Sequence, residues 1–186
     1  MRRLVWWLAL LAIAVGAHEA TIYATPDVLM SGVMKRLSRS EGWNHMLHAA
    51  RATEQQRVVV MPSPDLLYSI CPYDLAKGPL RFTAPLPADT PWSLSAYDAH
   101  TDNYFVVDDQ TLGAQQADVV FTAAGQAFAA RPGERVVQSP TTHGLLLVRT
   151  VISKEARASE LDAIRRKAEC STITAGPSTE RASPGS

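Results

Sequence analysis

Fourteen consecutive apolar residues, Leu4 to Ala17, follow Arg2 and Arg3 at the start of the chain. Water offers such a run nothing to bond to, whereas a hydrocarbon core accepts it. At about 1.5 Å per residue the run reaches about 21 Å, short of a bilayer core about 30 Å thick. That length suits the core of a signal peptide, and Val15-Gly16-Ala17 supplies small residues for cleavage. Extending the helix through Thr21, Ile22 and Tyr23 gives twenty residues and about 30 Å. His18 and Glu19 then fall near its outer end, with Trp6, Trp7 and Tyr23 at the two interfaces. We read residues 1–23 as an uncleaved anchor, with a cleaved signal segment and a soluble exported body as the alternative. Arg2, Arg3 and the terminal amine favour a cytoplasmic N-terminus, although Lys35, Arg36 and Arg39 follow on the other side.

Beyond the anchor about 160 residues remain, enough for one domain. Lysine plus arginine equals aspartate plus glutamate, 18 against 18. No overall field steers the chain to a polyanion, and no basic stripe interleaves with aromatics, so nucleic acid is not an expected partner. Two cysteines occur, Cys71 and Cys170. In an oxidising compartment an even pair reads as a disulfide, here closing a loop of about 100 residues worth up to about 4.7 kcal/mol. It would staple the last helix to an early strand. Two buried free thiols are the alternative.

Residues 24–56 read as a juxtamembrane helical linker. Leu29, Val33 and Leu37 recur at a spacing of four, with Val28 and Met34 beside them, so Asp27 to Ser38 is expected as an amphipathic helix. Its basic end, Lys35, Arg36 and Arg39, suits either anionic headgroups or open solvent. Trp43, Met46, Leu47 and Ala50 suggest a further short helix. From residue 57 to 170 the pattern changes. Val58 to Met61, Leu66 to Cys71, Leu80 to Thr83, Trp92 to Tyr97, Tyr104 to Val107, Val119 to Thr122, Val136-Val137 and Leu145 to Val151 are short β-prone runs. Proline and glycine punctuate them about every ten residues, which predicts an antiparallel sandwich and not βαβ units. A last helix follows Ser153, with Ala156, Leu161, Ile164 and Ala168 inward and Glu160, Asp162, Arg165, Arg166 and Lys167 in water. Residues 171–186 are too poor in apolar side chains to bury a core and are expected to be disordered.

Three stretches carry a resemblance. Pro62-Ser63-Pro64-Asp65-Leu66-Leu67-Tyr68-Ser69 is similar to a Pro-x-x-Asp-x-x-Tyr-Ser signature. Tyr73-Asp74-Leu75-Ala76-Lys77-Gly78-Pro79 follows at the matching distance, and Trp92 to Tyr104, with Asp98 inside it, completes the set. In this order they resemble the domain of unknown function 1254 family, in its short bacterial form with an N-terminal membrane segment. The resemblance implies a jelly-roll-like fold and a bacterial envelope protein. It also implies a companion from the domain of unknown function 1214 family, and no established activity. Pro62, Asp65, Tyr68, Gly78, Pro79 and Asp98 are its motif residues. His100 stands where the family has a smaller polar residue, which counts against a catalytic role for it.

Asp98, His100 and Asp102 alternate along a strand end and so share one face, a carboxylate–imidazole–carboxylate set of the kind that ligates divalent metals. The competing reading is a polar face leading into a turn. Asp65, Asp98 and His100 are the candidate catalytic residues, although Asp65 after Pro64 also suits a turn whose backbone it caps. His45 and His48 could share a helix face, and Cys71 with His143 could pair as thiol and base. No cofactor motif occurs. The chain reads as a single-pass protein of the bacterial inner membrane with its main domain in the periplasm. Its function reads as a binding or structural module, with a metal-assisted hydrolase using the carboxylate–histidine cluster Asp65, Asp98, His100 and Asp102 around a metal as the alternative.

Overall fold

The structure, a computed structural model, describes residues 2–53, 62–112 and 115–173. The run Val58 to Met61 therefore lies outside the described residues, as does the tail from 174.

The chain opens with one uninterrupted helix, α1 (Arg2–Glu41). Pro26 lies inside it, and the hydroxyl of Thr25 donates to the Thr21 carbonyl at 2.5 Å. Two helices were expected; a single rod carries both the apolar run and the linker. Among the described residues nine strands follow, the first seven being β1 (Leu47–His48), β2 (Leu66–Asp74), β3 (Leu80–Pro85), β4 (Trp92–Tyr97), β5 (Asn103–Asp108), β6 (Gln116–Ala123) and β7 (Arg135–Ser139). The last two are β8 (His143–Val151) and β9 (Glu169–Thr172), and short helices α2 (Asp109–Leu112) and α3 (Ala158–Arg165) sit between strands.

One sheet has the order β1-β2-β8-β4-β5 and the other β7-β6-β3-β9. Among the described residues every pairing is antiparallel except β6 with β7, which is parallel, so the first sheet is antiparallel as expected and the second is mixed. Period-two burial explains which residues form the interface between sheets. On β3, Leu80, Phe82 and Ala84 turn inward while Arg81 and Thr83 turn out; on β8, Gly144, Leu146, Val148 and Thr150 turn inward. Cys71, Tyr73, Leu94, Ala96 and Val107 of the first sheet meet Phe82, Val119 and Phe121 of the second in one cluster.

The sequence reading needs four further corrections. Met46 to Ala50 is not helical: Leu47 and His48 pair with Ile70 and Ser69 on β2. The buried face of α1 is Met30 and Met34, 7% and 4% exposed, whereas Leu29 and Val33 stay 61% and 46% exposed. The helix docks by Met34, which stands beside the Leu29, Val33 and Leu37 row, together with Met30. Arg165, expected in water, is buried. Ser171 and Thr172, expected in a disordered tail, are the end of β9, and Cys170 lies on that strand rather than on the last helix. Cys71 faces Cys170 with Cα atoms 6.6 Å apart, a span that a disulfide bridges.

Candidate functional site at the junction of the apolar helix with the β body

The turn between β4 and β5 holds three of the predicted residues. Asp98 is buried, and its Oδ1 accepts the backbone N–H groups of His100 at 2.8 Å and Asp102 at 2.9 Å. The Asp98 N–H in turn donates to the Asp102 carbonyl at 3.0 Å, and Thr101 adopts φ +74°. This carboxylate is spent on closing a tight turn. His100 does not join it as a co-ligand. Its Nδ1 reaches out to Asp27 on α1, and that hydrogen bond, with the Asp27 charge, raises the imidazole above its ordinary titration range. The junction therefore has an apolar element, Met30 and Met34, and a polar one, Asp27 with His100.

Asp65 is elsewhere. Leu66 pairs with Val151 on β8, while Tyr97 pairs with Leu145 six residues along the same strand. At about 3.3 Å per residue that separation is about 20 Å. Asp65 and the 98–102 turn thus occupy opposite ends of one sheet, and the proposed four-residue cluster does not assemble. Among the described residues no group of three His, Cys, Asp or Glu side chains is placed to hold a metal ion.

The motif residues instead hold the body together. The Tyr68 hydroxyl accepts the Ser63 N–H at 3.2 Å, and the Asp65 carbonyl accepts the Ile152 N–H at 2.8 Å. Buried Arg165 donates to the Tyr68 carbonyl at 2.7 Å, the Ser69 hydroxyl at 3.2 Å and the Ala49 carbonyl at 2.8 Å, and its Nε to Asp162 at 2.7 Å. One guanidinium thus ties α3 to β2 and to the segment after β1. His48 Nδ1 lies 2.9 Å from the same Ser69 hydroxyl, and burial, together with the Arg165 and Arg166 charges, lowers its pKa. Gly78, before Pro79, sits at φ +136°, and a Cβ there would meet Thr172 Cγ2 at 3.0 Å and the Ile173 carbonyl at 3.1 Å. The glycine is needed both for its dihedral and for the close passage of β9.

A second polar cluster was not foreseen. Tyr73, fully buried, places its hydroxyl 3.2 Å from the Tyr97 carbonyl, 3.0 Å from the Tyr104 hydroxyl and 2.9 Å from that of Ser139. Burial pushes the pKa of Tyr73 and of Tyr104 up, so both stay neutral donors. His143, read as a partner for Cys71, instead places Nε2 3.4 Å from Asp74 Oδ1 and Nδ1 3.1 Å from the hydroxyl of its neighbour Thr142. Trp43 packs edge-on against its ring at 5.3 Å. Hydroxyl, imidazole and carboxylate in line is the connectivity of a proton relay. Here Asp74 also accepts the Ala76 N–H at 3.0 Å and caps a single helical turn. That local work accounts for the aspartate. Sequence gave no signal for these pairs, because residues 73, 104 and 139 meet only through pairing across both sheets.

A family profile described as Protein of unknown function (DUF1254) matches residues 43–172. Among solved structures, the chain is similar to the VPA0106 protein of Vibrio parahaemolyticus, with a TM-score of 0.68 at 16% identity, covering 89% of this chain and 41% of that one. It is also similar to an uncharacterized protein of Burkholderia cenocepacia, with a TM-score of 0.49 at 14% identity, covering 91% and 44%. The chain thus spans less than half the length of either. No curated protein matches it. Among the described residues one helix, α1, is long and apolar enough to cross a membrane, and none of its apolar window is buried, a property shared by spans and signal sequences.

Proposed function

This chain belongs to the DUF1254 family, and from that premise we propose that it is a membrane-tethered binding module of the bacterial envelope, not an enzyme. The observation that carries the reading is the division of labour along α1. Its first half exposes Leu4, Trp6, Leu11 and Ile13 with no protein against them, while its second half docks through Met30 and Met34 and is latched by Asp27 to His100. Cleavage after Ala17 would leave that seat intact, so the seat joins α1 to the body, and it is the unpartnered apolar first half that calls for lipid. We read the two-sheet body as jelly-roll-like and as facing the periplasm, where it presents a recognition surface to a companion of the domain of unknown function 1214 family.

The hydrolase alternative loses its support, because its four residues lie at opposite ends of a sheet and Asp98 is engaged in its own turn. Membrane fractionation with intact-mass measurement tests the tether. The expected result is a carbonate-resistant membrane protein that retains residues 4–23. A soluble mature protein lacking its first 17 residues overturns the reading. Crosslinking in intact envelopes, followed by identification of the captured chain, tests the companion.

A further inference from the structure

From Asp27 onward α1 has two faces. Met30 and Met34 enter the body, and the opposite side presents Val28 and Leu29 at 66% and 61% exposure, with Val33 at 46%. Gly32 lies among them with nothing within 4 Å of its Cβ position. A helix side bathed only by water gains nothing from three large apolar residues. The same side continues into Lys35, Arg36 and Arg39, all exposed. Among the described residues none of these three has a carboxylate within 4.0 Å. The row is apolar, then basic, and it is continuous with the exposed apolar residues from Leu4 to Tyr23.

We propose that this outer face of α1, residues 28–39, lies on an anionic lipid surface. Val28 and Leu29 reach the boundary between headgroups and acyl chains, Val33 lies among the headgroups, and the long side chains of Lys35, Arg36 and Arg39 reach acidic headgroups. The proposal rests on the anchor reading above and adds which face, and which lipid class, is engaged. Leu4 to Asp27 is about 35 Å of helix, and a tilt of about 30°, within the usual range, brings its rise to about 30 Å, the thickness of the core. Asp27 and its His100 latch then stay at the outer edge of the core, and Val33 lies about 8 Å beyond that edge.

The test uses the full chain reconstituted in vesicles, with an environment-sensitive fluorophore on Ile13→Cys, Leu29→Cys or Val33→Cys, one at a time. Cys71 and Cys170 are buried, so the introduced thiol takes the label. In phosphatidylcholine containing phosphatidylglycerol, the labels at 29 and 33 should shift to the blue and be quenched by spin labels placed near the headgroup. The shift should shrink in pure phosphatidylcholine, in high salt and in the K35E/R36E/R39E variant. Each basic residue is worth about five-fold in the surface equilibrium, and the three about a hundred-fold. Water-like emission at 29 and 33 with a lipid-buried label at 13 overturns this proposal and leaves the anchor intact. Water-like emission at 13 removes both. Quenching that tracks protein concentration instead of lipid charge overturns it in favour of a second copy of the chain.

Discussion

Replacing Gly144 by alanine tests the packing of the body at its tightest point. A Cβ at 144 would lie within 3.0 Å of the Tyr73 hydroxyl, the Tyr73 ring and the Tyr97 carbonyl. The carbonyl is backbone in a central strand and has nowhere to go. Tyr73 is fully buried and could retreat only by giving up three polar contacts of 3.2, 3.0 and 2.9 Å. Overpacking of this kind costs about 1–3 kcal/mol, and stranding buried hydroxyls adds about 1–3 kcal/mol more. We expect G144A to destabilise the chain by about 3–5 kcal/mol, a fall in Tm of about 10 °C or more. Urea and thermal unfolding of the full chain in detergent, followed by near-ultraviolet circular dichroism, measure it. Adding Tyr73→Phe should recover less than half of the loss, since the Tyr97 carbonyl remains in the way. A G144A chain within about 0.5 kcal/mol of the native one would show that β2, β8 and β4 are not packed as described.

Arg165→Met removes the side-chain donor to the Ala49 carbonyl and one of two partners from the Tyr68 carbonyl and the Ser69 hydroxyl, so a loss of about 1–3 kcal/mol is expected in the same unfolding assay; an unchanged midpoint refutes the tie. His100 should titrate above its ordinary range in the native chain and return to that range in Asp27→Asn, as read by imidazole proton shifts. Because its native pKa is raised, the latch is fully present below about pH 6.5 and fades as pH climbs through the elevated midpoint. Identical titrations in the two proteins would remove the Asp27 contact. We expect Cys71 and Cys170 to be bonded in the mature protein, so denatured, unreduced chain should show no reactive thiol. Replacing both by serine should then cost about 2–5 kcal/mol, given a sequence separation of 99; two titratable thiols contradict the bond.

The strands were legible where burial alternates. Leu80 to Thr83 and Leu145 to Val151 show β3 and β8 as β-prone runs set off by proline and glycine, and burial alternates along both. β9 was not, because Glu169 to Thr172 offers one apolar side chain and directly follows a helix. β1 was hidden for the opposite reason: two residues are too few to show any period, and Trp43, Met46, Leu47 and Ala50 mimic a helical stripe. On α1 the spacing of four fixed a helix but not its rotation, since Leu29, Met30, Val33 and Met34 are all apolar. Arg165 looked like any basic residue of a last turn; only the carbonyls brought to it by β2 and the segment after β1 make it interior. The candidate site was partly legible. Asp98, His100 and Asp102 do share a turn, but the acceptor that engages His100 is Asp27, 73 residues earlier.

The β3–β9 pairing has a temporal consequence. Leu80 pairs with Thr172, and Phe82 with Cys170, so the second sheet lacks its β9 strand until residues 169–172 are available. α1 precedes every described strand along the chain, and β9 follows the other eight. Until β9 arrives β3 keeps one edge unpaired, a ready template for pairing with another chain.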